Sequence, residues 1–349
     1  MNYIGSKHSI IDFIEESIID FAGDVKGKTF CDIFAGTGVV GKRFKLLGCN
    51  VIANDNQYYS YVINNHYITN NSDITFESLK MIGINDAFIY LNKLDNYKGF
   101  IYNNYTEGGT KNLEFNRMYF TEENAIKIDS MRNQIEKWFK FDNINKSEYF
   151  YLLTCLIEAA DKVANTASVY EAFLKKMKRS AQNTIELKEL PIIVSEGTQG
   201  CVYKEDSNDL INKIKGDILY MDPPYNSRKY NTNYHILETI AYGDMPEIKG
   251  KTGIRCDQVT SRFNSKQKVL AAFEELIKNA KFKYIFLSYN DEGLMSVDDI
   301  KKIMEKYGTY RRYERYHKRY KASKNKEVEK KSTIEYLHAL EKKDIDEVI

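Results

Sequence analysis

Short apolar segments of β-strand length alternate with helical patterns near both ends of this 349-residue chain. Residues 28–33 and 49–54 are predicted strands with a helix between them, and residues 217–221 and 283–289 are two more. An amphipathic helix predicted over 265–280 leads into the last of these strands. Strands that alternate with helices in this way favour a doubly wound, mainly parallel α/β sheet.

The chain departs from this alternation at its end and in its middle. Two consecutive strand-like segments, TYRRYERYHKRY and STIEYLHAL, have no helix between them, which predicts an antiparallel terminal hairpin. From about residue 75 onward the periodicity is mostly helical, most clearly over 148–163. We therefore expect 1–74 and 196–349 to form the α/β domain, and 75–195 to be a largely helical insertion.

Composition narrows the class of protein. Hydrophobic residues make up 43% and charged residues 29%, so the chain can bury a core and stay soluble. The five cysteines, none in a C-x-x-C spacing, and the five scattered histidines predict neither a disulfide framework nor a metal site. No apolar run approaches the roughly 20 residues that span a membrane, so a cytoplasmic protein without a membrane partner is expected. The net charge of +2 neither requires nor excludes nucleic acid.

A glycine-rich turn, DIFAGTGVVG (32–41), directly follows the first predicted strand and opens a helix. Gly36, Gly38 and Gly41 satisfy G-x-G-x-x-G, and Asp55 ends the next strand. Glycines here let the backbone approach a ligand closely, and an acid on the second strand can bind ribose hydroxyls. A dinucleotide and S-adenosylmethionine both suit this geometry, while a tight turn without a ligand is the alternative.

The sequence DPPY (222–225) follows a buried-strand pattern and contains two of the chain's four prolines. It would place Asp222 at the carboxyl edge of the sheet, where open α/β sheets bind ligands. The prolines restrict the backbone, and the ring of Tyr225 can lie flat against a planar base. Asp222 and the carbonyl of Pro223 can each accept one N–H of an exocyclic amine, which would aim the nitrogen lone pair at an electrophilic methyl group. A turn that only terminates the strand is the alternative.

Together these motifs resemble those of DNA adenine-N6 methyltransferases of the Dam-like and restriction–modification type. In that group the cofactor motif precedes a recognition insertion, and the DPPY motif follows it. The resemblance covers nearly the whole chain and implies a Rossmann-like methyltransferase fold that binds S-adenosyl-L-methionine. NYIGSK, DIFAGTG, NDN and YKEDSNDLI resemble the cofactor motifs, and FLSYNDEGLMS (286–296) resembles the strand and turn after DPPY. The implied cofactor-binding residues are Tyr3, Lys7, Asp32, Phe34, Gly36, Gly38, Asp55, Asp206 and Asp222. Some relatives carry tryptophan where this chain has Tyr3.

The same resemblance implies the reaction and the partner. A stacked adenine hides its amino group, so the target nucleotide is expected to flip out of double-stranded DNA. Asp222 and Pro223 would then hold N6, and Tyr225 would stack on the base. The helical insertion would be the DNA target-recognition domain. A cognate restriction endonuclease, where one exists, would be a functional rather than a physical partner.

Other reactions fit the residues less well. Cytosine C5 methylation needs a cysteine after a proline, which none of the five cysteines provides. Cytosine-N4 enzymes tend to carry serine in place of Asp222. An RNA base amino-methyltransferase of the rRNA guanine-N2 type stays open, although such enzymes commonly lack a long insertion. A dinucleotide oxidoreductase would leave DPPY without a role, and a DNA-binding module without activity would not need these polar residues.

Basic residues near the catalytic motif and in the insertion predict where DNA binds. Duplex DNA presents a dense row of phosphates, so local clusters of positive charge matter more than net charge. A solvated surface is the alternative for each cluster. The candidate contacts are Arg228, Lys229 and Tyr234 after DPPY, Lys251 and Arg255 in KGKTGIRCDQ, and Lys176 and Arg179 in the insertion.

Overall fold

The computed structural model describes residues 5–226, 230–257, 259–318 and 332–343. Its strands are β1 Thr29–Asp32, β2 Asn50–Asn54, β3 Gly200–Tyr203, β4 Lys215–Met221, β5 Ile248–Lys249, β6 Ile254–Arg255, β7 Lys281–Asn290, β8 Gly308–Lys318 and β9 Ser332–Lys342. Its helices are α1 Ile11–Ala22, α2 Val39–Leu46, α3 Tyr58–Asn64, α4 Glu77–Met81, α5 Ala87–Asn92, α6 Phe100–Tyr105, α7 Glu122–Lys140, α8 Lys146–Val163, α9 Ser207–Leu210, α10 Tyr230–Asn233, α11 His235–Tyr242, α12 Val269–Asn279 and α13 Val297–Glu305. Short 3₁₀ segments cover Lys7–Ile10, Arg179–Gln182 and Arg262–Asn264, and a π-helical turn covers Asn65–Thr69.

Seven strands form one sheet in the order β3-β2-β1-β4-β7-β9-β8. The first five are parallel, and β9 pairs antiparallel with both β7 and β8. The predicted doubly wound sheet with an antiparallel terminal hairpin is therefore confirmed. The short strand β3 is an addition that the sequence pattern did not indicate.

Helices cover the sheet with apolar faces that follow the helical period. In α12 the buried positions are Val269, Ala272, Phe273, Leu276 and Ile277, spaced as one face of a helix. They join a core cluster with Leu219 and Met221 of β4 and Ile285 and Leu287 of β7. Burying a large aliphatic side chain contributes roughly 1.5–3 kcal/mol, so this face holds α12 on the sheet.

Contacts divide the chain into two compact units. The α/β unit comprises Lys7–Asn56, Ser195–Lys229 and Thr260–Ile349. The helical unit includes Gln57–Val194 and Tyr230–Val259, so it begins earlier than the predicted residue 75 and takes in a segment that follows DPPY. A pattern of helical periodicity cannot show that second segment, because its membership depends on contacts distant in sequence.

The helical unit has its own core around α7 and α8. Helix α8 is buried on most of its surface and begins with a capping box, in which Asn145 Oδ1 accepts from Glu148 N at 3.0 Å and Glu148 Oε2 accepts from Asn145 N at 2.8 Å. Across the described ranges, no helix has the length and apolar character needed to cross a bilayer.

Candidate active site

Three strands of the α/β unit end at the same edge of the sheet and place an aspartate there. β1 lies between β2 and β4, with Asp32 in register with Ala53 and Tyr220. Asp55 follows β2 and Asp222 follows β4. Because these strands are parallel, their carboxyl ends meet at one edge, which is where ligands bind in open α/β sheets. The edge therefore has a strongly acidic character.

The glycine-rich turn lies directly beside this edge. Gly36 and Gly38 have φ values of 51° and 73°, in the left-handed region that favours glycine. The amide of Gly36 donates to Asp55 Oδ2 at 2.9 Å, which fixes the turn against the end of β2. Helix α2 begins after Gly38. The turn thus places backbone without side chains, a carboxylate and the N-terminus of a helix next to each other, which suits a nucleoside-containing cofactor.

Asp32 is a buried acid with unused hydrogen-bonding capacity. Among the residues that the structure describes, its Oδ1 has no hydrogen-bond partner. Burial raises the pKa of its carboxyl well above the usual value, and the nearby charges of Asp222 and Asp55 raise it further. An orphaned buried acceptor is costly, so this position suits a ligand that brings a positively charged donor.

Asp222, at the end of β4, is held by two donors. Tyr225 Oη donates to Asp222 Oδ1 at 2.7 Å, and Lys7 Nζ lies 3.1 Å from the same oxygen. Lys7 Nζ also donates to Tyr225 Oη. Burial raises the pKa of the Asp222 carboxyl, while the Lys7 ammonium and the Tyr225 hydroxyl act in the opposite direction. The acid therefore sits in a pocket that favours N–H and O–H donors.

The segment after β7 supports the ring of Tyr225. The Tyr225 and Tyr289 rings are tilted with centroids 4.8 Å apart, and Ser288 Oγ lies 3.4 Å from Tyr225 Oη. The amide of Leu294 donates to the Tyr225 carbonyl at 2.9 Å. Sequence reasoning related this stretch to the family but assigned no role to its residues. The residue types of Ser288 and Tyr289 alone did not predict that they contact Tyr225.

The remaining predicted cofactor residues are placed as follows. Asp206 caps helix α9, accepting from Asn208 N at 2.9 Å, and lies 3.9 Å from the guanidinium of Arg262. The Phe34 ring packs edge-on against Phe263 at 5.0 Å. Tyr3 lies outside the described residues. The cofactor roles of all three stay predictions.

Two of the predicted DNA contacts are buried in the helical unit, and these predictions are wrong. Tyr234 is fully buried in the core of that unit. The Arg255 side chain is 3% exposed and forms ion pairs of 2.7 Å with Asp244 and Asp257. The aromatic and basic residue types predicted contact with DNA. In the structure, packing in the core sets the orientation of Tyr234, and the pairing with two aspartates sets that of Arg255.

Of the other predicted DNA contacts, three have exposed side chains and two are not described by the structure. Lys176, Arg179 and Lys251 are exposed. Arg228 and Lys229 lie outside the described residues. Within the described part of the chain, no group of His, Cys, Asp and Glu is arranged to hold a metal ion.

Comparison with known proteins decides the family. The family model described as D12 class N6 adenine-specific DNA methyltransferase matches residues 3–303. The chain belongs to this family. The predicted class, an adenine-specific DNA methyltransferase, is thereby confirmed, and membership implies the use of S-adenosylmethionine.

Three type II methyltransferases resemble this chain over most of its length. It is 46% identical over 346 residues to the type II methyltransferase M.NlaIII of Neisseria lactamica, covering 98% of this chain and 99% of that protein. It is 36% identical over 326 residues to the type II methyltransferase M.CviAII of Paramecium bursaria Chlorella virus 1, covering 92% and 93%. It is 40% identical over 349 residues to the type II methyltransferase M.FokI of Planomicrobium okeanokoites, spanning 98% of this chain but about half, 53%, of that protein.

Proposed function

We propose that this protein binds S-adenosylmethionine at the edge formed by β1, β2 and β4 and methylates N6 of a flipped-out adenine in double-stranded DNA, as the modification enzyme of a restriction–modification system. The observation that carries the proposal is Asp222, a half-buried carboxylate at a proline-restricted strand end that already accepts from one donor, Tyr225, and lies beside a second, Lys7. The helical unit would be the target-recognition domain.

The residues of the glycine-rich turn fit the cofactor. Gly36 and Gly38 leave the backbone open to close approach, and Asp55, which accepts from the amide of Gly36, is the proposed acceptor for the ribose hydroxyls. The orphaned oxygen of Asp32 suits a donor with positive charge. Lys7, Phe34 and Asp206 remain candidates for the walls of the same site. When bound, S-adenosylmethionine supplies an electrophilic methyl group.

Asp222 and Pro223 would act on the adenine amino group by position and hydrogen bonding. Each accepts one N–H, so the nitrogen lone pair is drawn out of conjugation with the ring and points towards the incoming methyl. Lys7 and Tyr225 now direct their donor groups at Asp222 Oδ1. When the adenine binds, its amino group must either displace these donors or bind to Asp222 beside them. Tyr225 would then contribute its ring face as a stacking surface.

The test uses methyl-labelled S-adenosylmethionine with separate pools of unmodified DNA and RNA. Mass spectrometry of the digested nucleosides is expected to show N6-methyladenine in DNA alone. Label in RNA, or on cytosine or guanine, would overturn the proposed substrate.

A catalytic variant tests the role of Asp222. In Asp222→Ala we expect transfer to fall by at least about 100-fold, in the range of a lost proton-accepting or orienting group, while cofactor binding falls less. Cofactor binding is measured separately by calorimetry. Full activity in the variant would contradict the assignment of Asp222.

A further inference from the structure

The strands β5 and β6 form a small antiparallel hairpin in the helical unit. Ile248 is in register with Arg255 and Lys249 with Ile254. We call residues 249–253 the hairpin tip. Gly250 and Gly253 have φ values of 69° and 68°, and Gly253 N donates to the Gly250 carbonyl at 3.2 Å. Strands of two residues are too short to hold a hairpin by themselves, so its conformation depends on other contacts.

Buried side chains of the same unit hold the carbonyl groups of the tip. Arg117 Nη2 donates to the carbonyl of residue 250 at 3.0 Å, and its Nε donates to that of residue 251 at 3.1 Å. His235 Nε2 donates to the carbonyl of residue 252 at 3.1 Å, and Tyr105 Oη donates to that of residue 253 at 2.8 Å. Arg117 is 6% exposed, and Tyr105 and His235 are fully buried. Four successive carbonyls are therefore fixed from the interior.

A second set of contacts holds the base of the hairpin. The guanidinium of Arg255 forms a two-bond fork with Asp244 at 2.7 Å for each bond, and it also pairs with Asp257. Bidentate pairs of this kind restrict both partners. Arg255 thus fixes the strand from which the tip projects.

The side chains of Lys249 and Lys251 are exposed on this fixed backbone. A lysine on a mobile loop must lose backbone freedom when it binds a phosphate, whereas a fixed backbone removes most of that cost. Two exposed lysines projecting from a fixed backbone suit a partner with a dense row of negative charges, and duplex DNA is such a partner.

We propose that the hairpin tip is a preformed binding element for the phosphate backbone of duplex DNA, in which Lys249 and Lys251 bind phosphates and Arg117 is a positioning residue. The inference rests on the proposed function, since it supplies a means by which that enzyme holds its substrate. It also gives Arg255 a role in supporting the tip in place of direct contact with DNA.

The first experiment measures binding of the full chain to an unmethylated duplex by fluorescence anisotropy, between about 50 and 200 mM salt. The double variant K249Q/K251Q is expected to bind more weakly, with a slope of log K against log salt that is shallower by about 0.9 for each phosphate it no longer neutralises. The control is Lys137→Gln, which removes one exposed lysine of the same unit and is expected to leave affinity nearly unchanged. Equal affinity and slope in wild type and the double variant would overturn the proposal.

The second experiment tests the positioning role through a double-mutant cycle. Arg117→Met should weaken DNA binding in the wild-type background but cause little further weakening in K249Q/K251Q, because the two ammonium groups that it positions are already absent there. Effects that simply add would contradict positioning through the tip. If Arg117→Met does not fold, the lysine variants still decide whether the tip binds DNA.

The two proposals can fail separately. If wild type methylates adenine in DNA but the lysine variants bind DNA as tightly as wild type, the proposed role of the tip is contradicted and the proposed reaction is supported. Absence of adenine methylation by wild type, with salt-dependent weakening of binding in the lysine variants, would remove the proposed reaction and keep the tip as a nucleic-acid binding element.

Discussion

Lys7 determines how the carboxylate at the end of β4 is charged and oriented. Its Nζ lies 3.1 Å from Asp222 Oδ1 and 4.6 Å from the centroid of the Tyr225 ring, and its side chain is 7% exposed. A buried carboxylate without a cation would favour its protonated form. Lys7 opposes that effect, so we propose that it serves the carboxylate of Asp222 as much as the proposed cofactor site.

At this residue we predict that Lys7→Met raises the pKa of Asp222 further and moves the acidic limb of the pH profile of kcat/KM to higher pH. Loss of one charge-assisted hydrogen bond, about 1.5–3 kcal/mol, corresponds to a fall in activity of roughly 10- to 100-fold near neutral pH. Initial rates of methyl transfer across the pH range measure both effects.

The matched control for this prediction is Lys7→Arg, which keeps the positive charge beside Asp222. It should retain the position of the acidic limb even where its bulk lowers the rate. A Lys7→Met profile that coincides in shape with wild type would show that Lys7 does not influence the ionisation of Asp222.

Helix α6 depends on an acid supplied by another helix. Asp129 of α7 accepts from the amides of Gly99, Ile101 and Tyr102 at 2.9, 3.0 and 2.9 Å, which are the otherwise unpaired donors at the start of α6. The pKa of Asp129 is raised to about 6, because burial outweighs the opposite effect of the three amide hydrogen bonds. One side chain therefore links the two helices.

For this element we predict that Asp129→Asn lowers the free energy of unfolding by roughly 2–4 kcal/mol at neutral pH, because an amide has one acceptor oxygen and leaves buried N–H groups without a partner. Urea denaturation measures the change. Asp95→Asn, at an exposed position of the same unit, should change stability by less than about 0.5 kcal/mol. Similar small effects in both variants would show that the cap contributes little.

The elements also show how far sequence reasoning reaches. Strands β1, β2, β4 and β7 were predictable because each is a short apolar run, and the candidate active edge followed because parallel strands end together. Strand β3 was missed because GCVY lacks a long apolar run. Tyr234 and Arg255 were misplaced because composition alone does not show that the first side chain packs into the core of the helical unit or that the second pairs with Asp244 and Asp257.

At the scale of the whole molecule, each unit contains a fully buried histidine. His235 lies beside Tyr105, Tyr119 and the hairpin, and His338 of β9 pairs through Nδ1 with Tyr310 Oη at 2.8 Å. Burial is the main cause that lowers the pKa of each imidazole to about 3, and the positive charges of Arg255 and Arg117 near His235 and of Arg312 near His338 act in the same direction. Both rings are therefore neutral in the folded protein over the usual range of pH.

The sign of the resulting pH dependence follows from linkage. The unfolded histidine has a pKa near 6.5 and binds a proton that the folded one refuses, so its contribution to stability is complete above about pH 6.5 and is lost as pH falls towards 3. The loss is about 1.36 kcal/mol per pH unit for each histidine. Asp129 acts in the opposite direction, because its raised pKa gives a contribution that is lost as pH rises through about 6. The net curve therefore mixes both signs, and single variants are needed to separate them.

We predict that the stability advantage of wild type over His235→Gln shrinks by about 2 kcal/mol between about pH 7.5 and 5, because only wild type carries the buried imidazole. Trp138, the single tryptophan of the chain, is buried in the same helical unit, so its fluorescence during urea denaturation reports the unfolding of that unit. His338→Gln, in the other unit, serves as the control. Where the units unfold separately, the difference in stability between wild type and this variant, as followed by Trp138 fluorescence, should not depend on pH. An advantage over His235→Gln that stays constant across this range would mean that His235 accepts a proton in the folded state, contrary to its burial between two arginines and two tyrosines.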